Sequence, residues 1–270
     1  MSWCGMELEL VGKRAIVTGG SRGIGLAIAD ALAAEGTHVT VVARGGERLD
    51  NAAAHLSCRG ARVISEAADT RDDDAVRSMV KAVTRRLGGG DILVNSAARP
   101  ASARGVPNLS KLTDDDVRVE VETKVLGYLR CAQAVAPYPI RQGWGRIVNL
   151  SGLNARQSGS LVGSIRNAVV SAMTKNLADE LGTCGVTVTA LHPGVTVTGR
   201  TDAVLRARAE ERGISPQVLA AELGARTSIG RLVTAAEVAS VAVFLASPRS
   251  VAIAGDSIAV GGGARGVIHY

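Results

Sequence analysis

The chain has 270 residues, 46% of them hydrophobic and 21% charged, a size and balance that suit one α/β domain, with two small domains as the alternative, and exclude a disordered chain. Its formal net charge of +6 is scattered, with no long Lys/Arg run and only 2% aromatic residues to stack bases, so no nucleic-acid partner is expected.

The predicted elements alternate from the start. Arg14–Thr18 (RAIVT) is a short buried strand, and Gly23–Glu35 is an Ala- and Leu-rich helix. A strand at His38–Ala43 follows, then a helix near Gly46–Cys58, a strand at Ala61–Ser65, a helix near Asp72–Leu87 and a strand at Asp91–Asn95. Thr113 before Asp114, Asp115 and Asp116 places a cap and three carboxylates at a positive helix end, and that helix is predicted to run to about Val135. Arg146–Leu150 and Val186–Leu191 are strands, and between them GSIRN (Gly163–Asn167) lies at the start of a long helix. Thr234 with Glu237 makes a capping box for a helix to about Ala246, and Asp256–Val260 is the last strand.

Seven short strands, apolar on both faces and separated by helices, predict a parallel sheet covered on both sides. No linker or internal repeat divides the chain. Two stretches break the pattern: Arg99–Lys111, rich in Pro, Ser and Gly, and Val195–Gly230, long and charged, with Ser215-Pro216 as a helix start. Ligands in such sheets sit beyond the carboxyl ends of the strands, which makes 195–230 a candidate lid over a substrate. Its Arg200, Arg206, Arg208 and Arg212, beside Glu210 and Glu211, suit either an anion or a solvated helix face.

Cys4, Cys58, Cys131 and Cys184 lie far apart with no CxxC spacing, and His38, His55, His192 and His269 form no paired ligand spacing. Reduced thiols and no metal are the expectation. With no signal peptide and no apolar run long enough to span a bilayer, the expected place is the cytoplasm, with no membrane partner.

TGGSRGIG (Thr18–Gly25) joins the first strand to the first helix. Gly19, Gly23 and Gly25 permit a sharp turn and let backbone N–H groups approach a pyrophosphate at the helix N-terminus. The same residues satisfy GxSxG, the nucleophile elbow of serine hydrolases. That elbow normally follows several earlier strands, and no clear Asp-then-His pair accompanies it here.

TGGSRGIG, Asp69-Thr70 after the third strand, NSAA (Asn95–Ala98), GRIVNLSG (Gly145–Gly152), HPGVTVT (His192–Thr198) and GDSIAVGGG (Gly255–Gly263) together resemble the short-chain dehydrogenase/reductase superfamily over almost the whole chain. The resemblance implies a single Rossmann-type domain over 1–270, a doubly wound seven-stranded parallel sheet in three α/β/α layers. It implies a homo-tetramer or homo-dimer and a small carbonyl or alcohol substrate. It assigns the cofactor to Gly19, Ser21, Arg22, Gly23, Ile24 and Gly25, with Asp69 and Thr70 at the adenine, Asn95 and Ala97 near the ribose, Pro193, Gly194 and Val195 at the nicotinamide amide, and Thr198 beyond them.

A carboxylate at the end of the second strand would favour NAD(H). Here Ala43 is followed by Arg44, and Arg22 lies in the glycine turn. Two guanidiniums there suit a 2′-phosphate, so NADP(H) is preferred, with NAD(H) possible and Arg44 pointing to water as the alternative.

The family's Ser, Tyr, Lys and Asn are missing from their usual places. An apolar row at Ile165, Val169, Met173, Leu177 and Leu181 registers the helix, and Gly163, Asn167, Val170 and Thr174 share a different face. In the family register, Gly163 takes the tyrosine position, Asn167 the lysine and with it a cofactor-binding place at the nicotinamide ribose, Gly152 the serine with Ser151 one residue earlier, and Lys124 the asparagine. Asn and Lys therefore look exchanged, and Lys124 is expected to reach the buried polar spot beside Asn167 from the neighbouring helix; the alternative is that it snorkels to the surface. No residue evidently replaces the tyrosine, with Ser151, Ser164, Arg166, Tyr128 and His192 as candidates. Three readings stay open: an NADP(H)-dependent oxidoreductase with an atypical site, using Ser151, Lys124 and Asn167; a nucleotide-binding protein without turnover, acting as a sensor or assembly subunit; and a cofactor-assisted isomerase or lyase.

Overall fold

Apolar strands that can bury both faces assemble into the predicted sheet. The computed structural model describes residues 7–99 and 109–265; Cys4, His269 and most of the loop after Arg99 lie outside the described residues. The strands β1 (Arg14–Thr18), β2 (His38–Ala43), β3 (Val63–Ala67), β4 (Ile92–Asn95), β5 (Gly145–Leu150), β6 (Val186–Pro193) and a last strand, Ser257–Val260, form one parallel sheet. Its order is β3-β2-β1-β4-β5-β6 followed by that last strand. The chain winds outward in one direction from β1 to β3 and in the other from β4 onward. The reversal lies between β1 and β4, whose carboxyl ends are where an open α/β sheet forms its crevice.

Helices cover both faces. On one, α1 (Gly23–Ala34), α2 (Glu47–Ser57) and the C-terminal helix Ala235–Ala246 bury Ile28, Leu32 and Val243 against Val17, Val41 and Val148. On the other, α3 (Asp73–Leu87) and the helices that follow β4 and β5 bury Val76, Val83, Cys131 and Leu181 against Ile16, Leu93 and Val188. The caps read from the sequence are formed: Thr113 and Thr234 each accept from the backbone N–H three residues on, with Asp116 and Glu237 reaching back to complete capping boxes.

β3 starts two residues later than the sequence pattern indicates, because the turn through Gly60 (φ 81°) delays pairing until Val63 meets Val39. The helix predicted from Thr113 to Val135 is not uniform. It comprises α4 (Asp114–Glu120), a π-helical segment at Val121–Leu126 and α5 (Gly127–Val135), with α6 (Pro137–Gln142) after it. The long helix α7 (Leu161–Leu181) is capped by Ser160 and buries Gly163, Asn167, Val170 and Thr174. The apolar row on its other side stays half open, with Val169 41% exposed.

The 195–230 stretch holds the short strand β7 (Thr196–Val197), α8 (Thr201–Glu211) and α9 (Pro216–Ala225). β7 pairs with β8 (Val233–Thr234), so both ends of the excursion are clasped together; Ser257–Val260 is β9 and Ala235–Ala246 is α10. Leu205, Ala209 and Leu219 give the two helices a small core of their own. The Arg212–Glu222 pair at 2.7 Å ties them on the solvent side, where Arg212 follows the solvated-face reading.

Candidate active site

The glycine turn packs into the crevice between β1 and β4. Gly19 has φ 67°, and a Cβ there would stand 2.8 Å from the Ser96 carbonyl oxygen; one on Gly25 would stand 2.4 Å from the Gly19 oxygen. Thr18 Oγ1 accepts from the backbone N–H groups of Ser96 and Ala97 at 3.1 and 3.3 Å, which fastens the residues after β4 to the end of β1. Behind this turn α1 starts with no side-chain cap and no acid in its first turn, so its first amides remain available to an anion. Ser21, Arg22, Gly23 and Ile24 are half-buried around it. A Cβ on Gly23 would approach Thr198 Cγ2 at 3.8 Å, which brings the start of the lid over the turn. Thr201 Oγ1 accepts from the Thr198 backbone N–H at 2.7 Å and holds that bend.

Cations converge beside the turn. The Arg22 guanidinium is held below its ordinary pKa by burial and then by the charges of Arg200, Arg48 and Arg44. Arg44 is exposed at the end of β2. The nearby acid, Asp69, is already engaged: its carboxylate pairs with Arg71 at 2.6 Å, and that hydrogen bond is the main reason its pKa lies below the usual range. A set of guanidiniums beside open helix amides fits a phosphate-bearing dinucleotide and would be costly without an anion.

Several predicted contacts take a different form. The Asn95 side chain is fully buried, and its Nδ2 donates to Asn149 Oδ1 at 2.9 Å, while Asn149 Nδ2 donates to Thr174 Oγ1 at 3.0 Å. These bonds tie β4, β5 and α7 together. Thr70 is buried beside α5, where a Cβ on Gly127 would stand 2.9 Å from Thr70 Oγ1. Gly194 lies against Gly261 and Leu153 at the end of β6, with Pro193 half-buried and Val195 exposed.

Deeper in the crevice Lys124 and Asn167 meet. The π-helical segment carries Lys124 inward, where it is 4% exposed. Lys124 Nζ donates to the Ser151 carbonyl oxygen at 2.8 Å and to Asn167 Oδ1 at 2.9 Å, so it does not snorkel outward. Burial, and secondarily Arg166, push its pKa down to about 7, while Glu120 acts in the opposite direction. Glu120, four residues before Lys124, forms a short ion pair with Arg166. That engagement commits Arg166 to a carboxylate.

The other candidate proton donors are also committed. Ser151 Oγ donates to the Asn167 carbonyl oxygen at 3.0 Å, and Ser164 Oγ to the Gln157 carbonyl oxygen at 3.2 Å. The Tyr128 hydroxyl donates to the Leu150 carbonyl oxygen at 3.0 Å, and burial pushes its pKa well up. His192 Nε2 lies 3.1 Å from Ser171 Oγ. Gly163 leaves its place to neighbours: a Cβ there would stand 2.9 Å from Ser160 Oγ and 3.5 Å from Asn154 Cγ. Asn154, unremarked by sequence reasoning, lines an open cleft of about 530 Å³ with Arg156, Gln157, Ser164 and Ile165. No spacing signal marks Asn154, because it reaches Gly163 only through the fold.

Such a fold and glycine turn define a dinucleotide-binding α/β protein. The sequence profile of the short chain dehydrogenase family matches residues 13–209. The short-chain reductase protein NovJ of Streptomyces niveus is 33% identical over 250 residues, covering 92% of each chain. A 3-oxoacyl-[acyl-carrier-protein] reductase, FabG of Staphylococcus aureus, is 33% identical over 262 residues, 93% of this chain and 97% of its own. Among solved structures, the L-sorbose reductase of Gluconobacter frateurii, complexed with NADPH and L-sorbose, aligns with a TM-score of 0.90 at 28% identity, covering 97% of this chain and 100% of that one. The chain belongs to the short chain dehydrogenase family, oxidoreductases of carbonyl and alcohol groups, and the hydrolase reading of GxSxG falls. Among the described residues, no helix is long and apolar enough to cross a membrane.

Proposed function

We propose that the protein is an NADP(H)-dependent oxidoreductase that interconverts a small carbonyl compound and its alcohol, through a site in which Lys124 and Asn167 have exchanged positions. The observation that carries this reading is the 2.9 Å bond between Lys124 Nζ and Asn167 Oδ1, which returns a cationic nitrogen to the buried spot vacated at 167. A cofactor there would supply the hydride. Arg22 and Arg44 would hold a 2′-phosphate, the α1 amides and Thr198 the pyrophosphate side, and Lys124 the neighbourhood of the nicotinamide ribose. Gly194 and Val195 would face the amide. Ser151 acts by position, because its bond to the Asn167 carbonyl fastens α7 to the end of β5.

The reductase relatives support the reaction class, and the NADPH in the sorbose reductase supports the cofactor. NAD(H) stays a second, weaker ligand in this reading. The chain acts as one domain with 195–230 as its lid, in the cytoplasm. It assembles as a homo-dimer or homo-tetramer through the half-open apolar row of α7, where Leu161 is 54% exposed.

Fluorescence titration with NADPH and NADH, followed by a panel of ketones, tests the proposal. Tight NADPH, weak NADH and NADPH oxidation with at least one ketone are the expected results. Binding without turnover across the panel would point instead to a sensor, an assembly subunit or an isomerase, and absence of binding would sink all of these.

A further inference from the structure

Gly152 and Asn167 are fitted to each other. A Cβ on residue 152 would stand 2.8 Å from Asn167 Nδ2 and 3.4 Å from Asn167 Cγ. The carboxamide therefore fills the volume that a side chain at 152 would occupy. Its orientation follows from that bond: the ammonium form of Lys124 only donates, and the atom 2.9 Å from its Nζ is the carboxamide oxygen. The NH₂ group is then turned the other way, over Gly152. The backbone on either side is held, since Ser151 Oγ donates to the Asn167 carbonyl and Lys124 Nζ to the Ser151 carbonyl.

We infer that Asn167 Nδ2 is the hydrogen-bond donor to the substrate oxygen, standing where a serine hydroxyl at 152 would otherwise act, and that Lys124 is a positioning residue that fixes and polarises the carboxamide. The inference rests on the oxidoreductase reading. In the reducing direction, the carbonyl carbon gains a hydride with its electron pair from the reduced nicotinamide, and the C=O π pair moves onto oxygen. The Nδ2–H group stabilises that developing alkoxide, and a proton from water completes the alcohol. A donor aimed at developing charge in a buried site is worth about 10²–10³ in rate. The proton source needs no side-chain acid, consistent with the commitments of Ser151, Ser164 and Tyr128 to carbonyl oxygens.

A double-mutant cycle between Gly152→Ser and Asn167→Ala decides the matter, with NADPH as cofactor and 2,2,2-trifluoroacetophenone as the carbonyl probe. Asn167→Ala should lower kcat by about 100-fold while changing NADPH affinity by no more than about threefold. Gly152→Ser in the wild-type background should also lower kcat, because its Cβ meets Nδ2. In the Asn167→Ala background the same substitution has room, supplies a hydroxyl donor, and should raise kcat at least about 10-fold. A structural role for Asn167 would not reverse the sign. Loss of activity from Gly152→Ser in both backgrounds, or an unchanged rate in Asn167→Ala, overturns the inference. Failure of the wild type to bind NADPH would overturn the oxidoreductase reading instead. The ¹⁹F resonance of the probe then decides for Asn167: broadening that vanishes in Asn167→Ala upholds it, and equal broadening in both overturns it.

Discussion

Lys124 on the π-helical segment and Asn167 on α7 lie 2.9 Å apart, Nζ to Oδ1, and Lys124 Nζ also donates to the Ser151 carbonyl oxygen. The pair predicts a specific cofactor phenotype. Lys124→Met removes the cationic nitrogen while keeping most of the buried volume, and should weaken NADPH binding by about 10-fold or more. The surface substitution Lys81→Ala should leave it unchanged. Fluorescence titration of both variants checks this, and equal effects would remove Lys124 from the cofactor's neighbourhood.

The same lysine links stability to pH. Its native pKa is about 7, below its ordinary 10.5. Between these values the unfolded chain binds a proton that the native chain does not, so stability rises with pH across that window. Below about pH 7 both states are charged and the burial penalty is fully present. Urea midpoints of wild type and Lys124→Met should therefore differ most in favour of the variant near pH 7 or below, with the gap closing towards pH 10. A gap independent of pH would mean that the native pKa is not depressed.

Arg44 should separate the two cofactors. It joins the cations around Arg22 at the end of β2, and the carboxylate within its reach, Asp69, is paired with Arg71. Arg44→Ala should raise the NADPH dissociation constant by about 10-fold or more through loss of charge-assisted bonds, and leave NADH nearly unchanged. A parallel loss for both cofactors would place Arg44 away from the 2′-phosphate.

Most of this fold was legible because its strands are continuous apolar runs and its helices carry strong caps, such as Thr113 with Asp116. The meeting of Lys124 with Asn167 was also legible from register. Three features were not. No residue type announces the π-helical segment that turns Lys124 inward; it depends on how α4 and α5 pack on α7. The apolar row of α7 registers the helix but, Leu181 apart, is not its buried face, since Gly163, Asn167 and Thr174 are the buried ones. The fit of Asn167 against Gly152 exists only once β5 and α7 are side by side. Asn95 shows a related limit: position in a motif indicates where a residue lies, while its hydrogen bond to Asn149 determines which way it points.

Below the crevice, Asp91 anchors the amino end of the sheet. Its Oδ2 accepts from the Arg14 backbone N–H at 2.9 Å and from Arg14 Nε at 2.7 Å, and its Oδ1 pairs with Arg14 Nη2 at 2.6 Å. Asp91→Ala leaves the Arg14 backbone N–H and Nε without this acceptor, though Nη2 keeps Gln142 Oε1, and should cost about 2–3 kcal/mol, because Arg14 is only partly exposed. Chemical denaturation measures the cost, and NADPH affinity should be unaffected because the site lies at the opposite end of the strands.

Restoring the tyrosine alone should not restore the family's chemistry. A Cβ on Gly163 meets Ser160 Oγ at 2.9 Å, the mobile end of a short side chain, so Gly163→Tyr can be accommodated at modest cost in the helix cap. Its phenol would still lack a lysine at 167, since Lys124 Nζ is held by Ser151 and Asn167. The single variant should therefore gain little reductase activity. Adding Asn167→Lys without Lys124→Asn would bury two ammonium groups side by side and should destabilise the fold. Only the triple change, Gly163→Tyr with Asn167→Lys and Lys124→Asn, gives the phenol a neighbouring cation without a second one opposing it. Its kcat should exceed that of Gly163→Tyr by about 10-fold or more, with an acidic group's pKa appearing in the pH–rate profile. If Gly163→Tyr alone reached the same rate, the lysine at 124 would already be serving a tyrosine at 163, and the exchanged pair would be equivalent to the family arrangement.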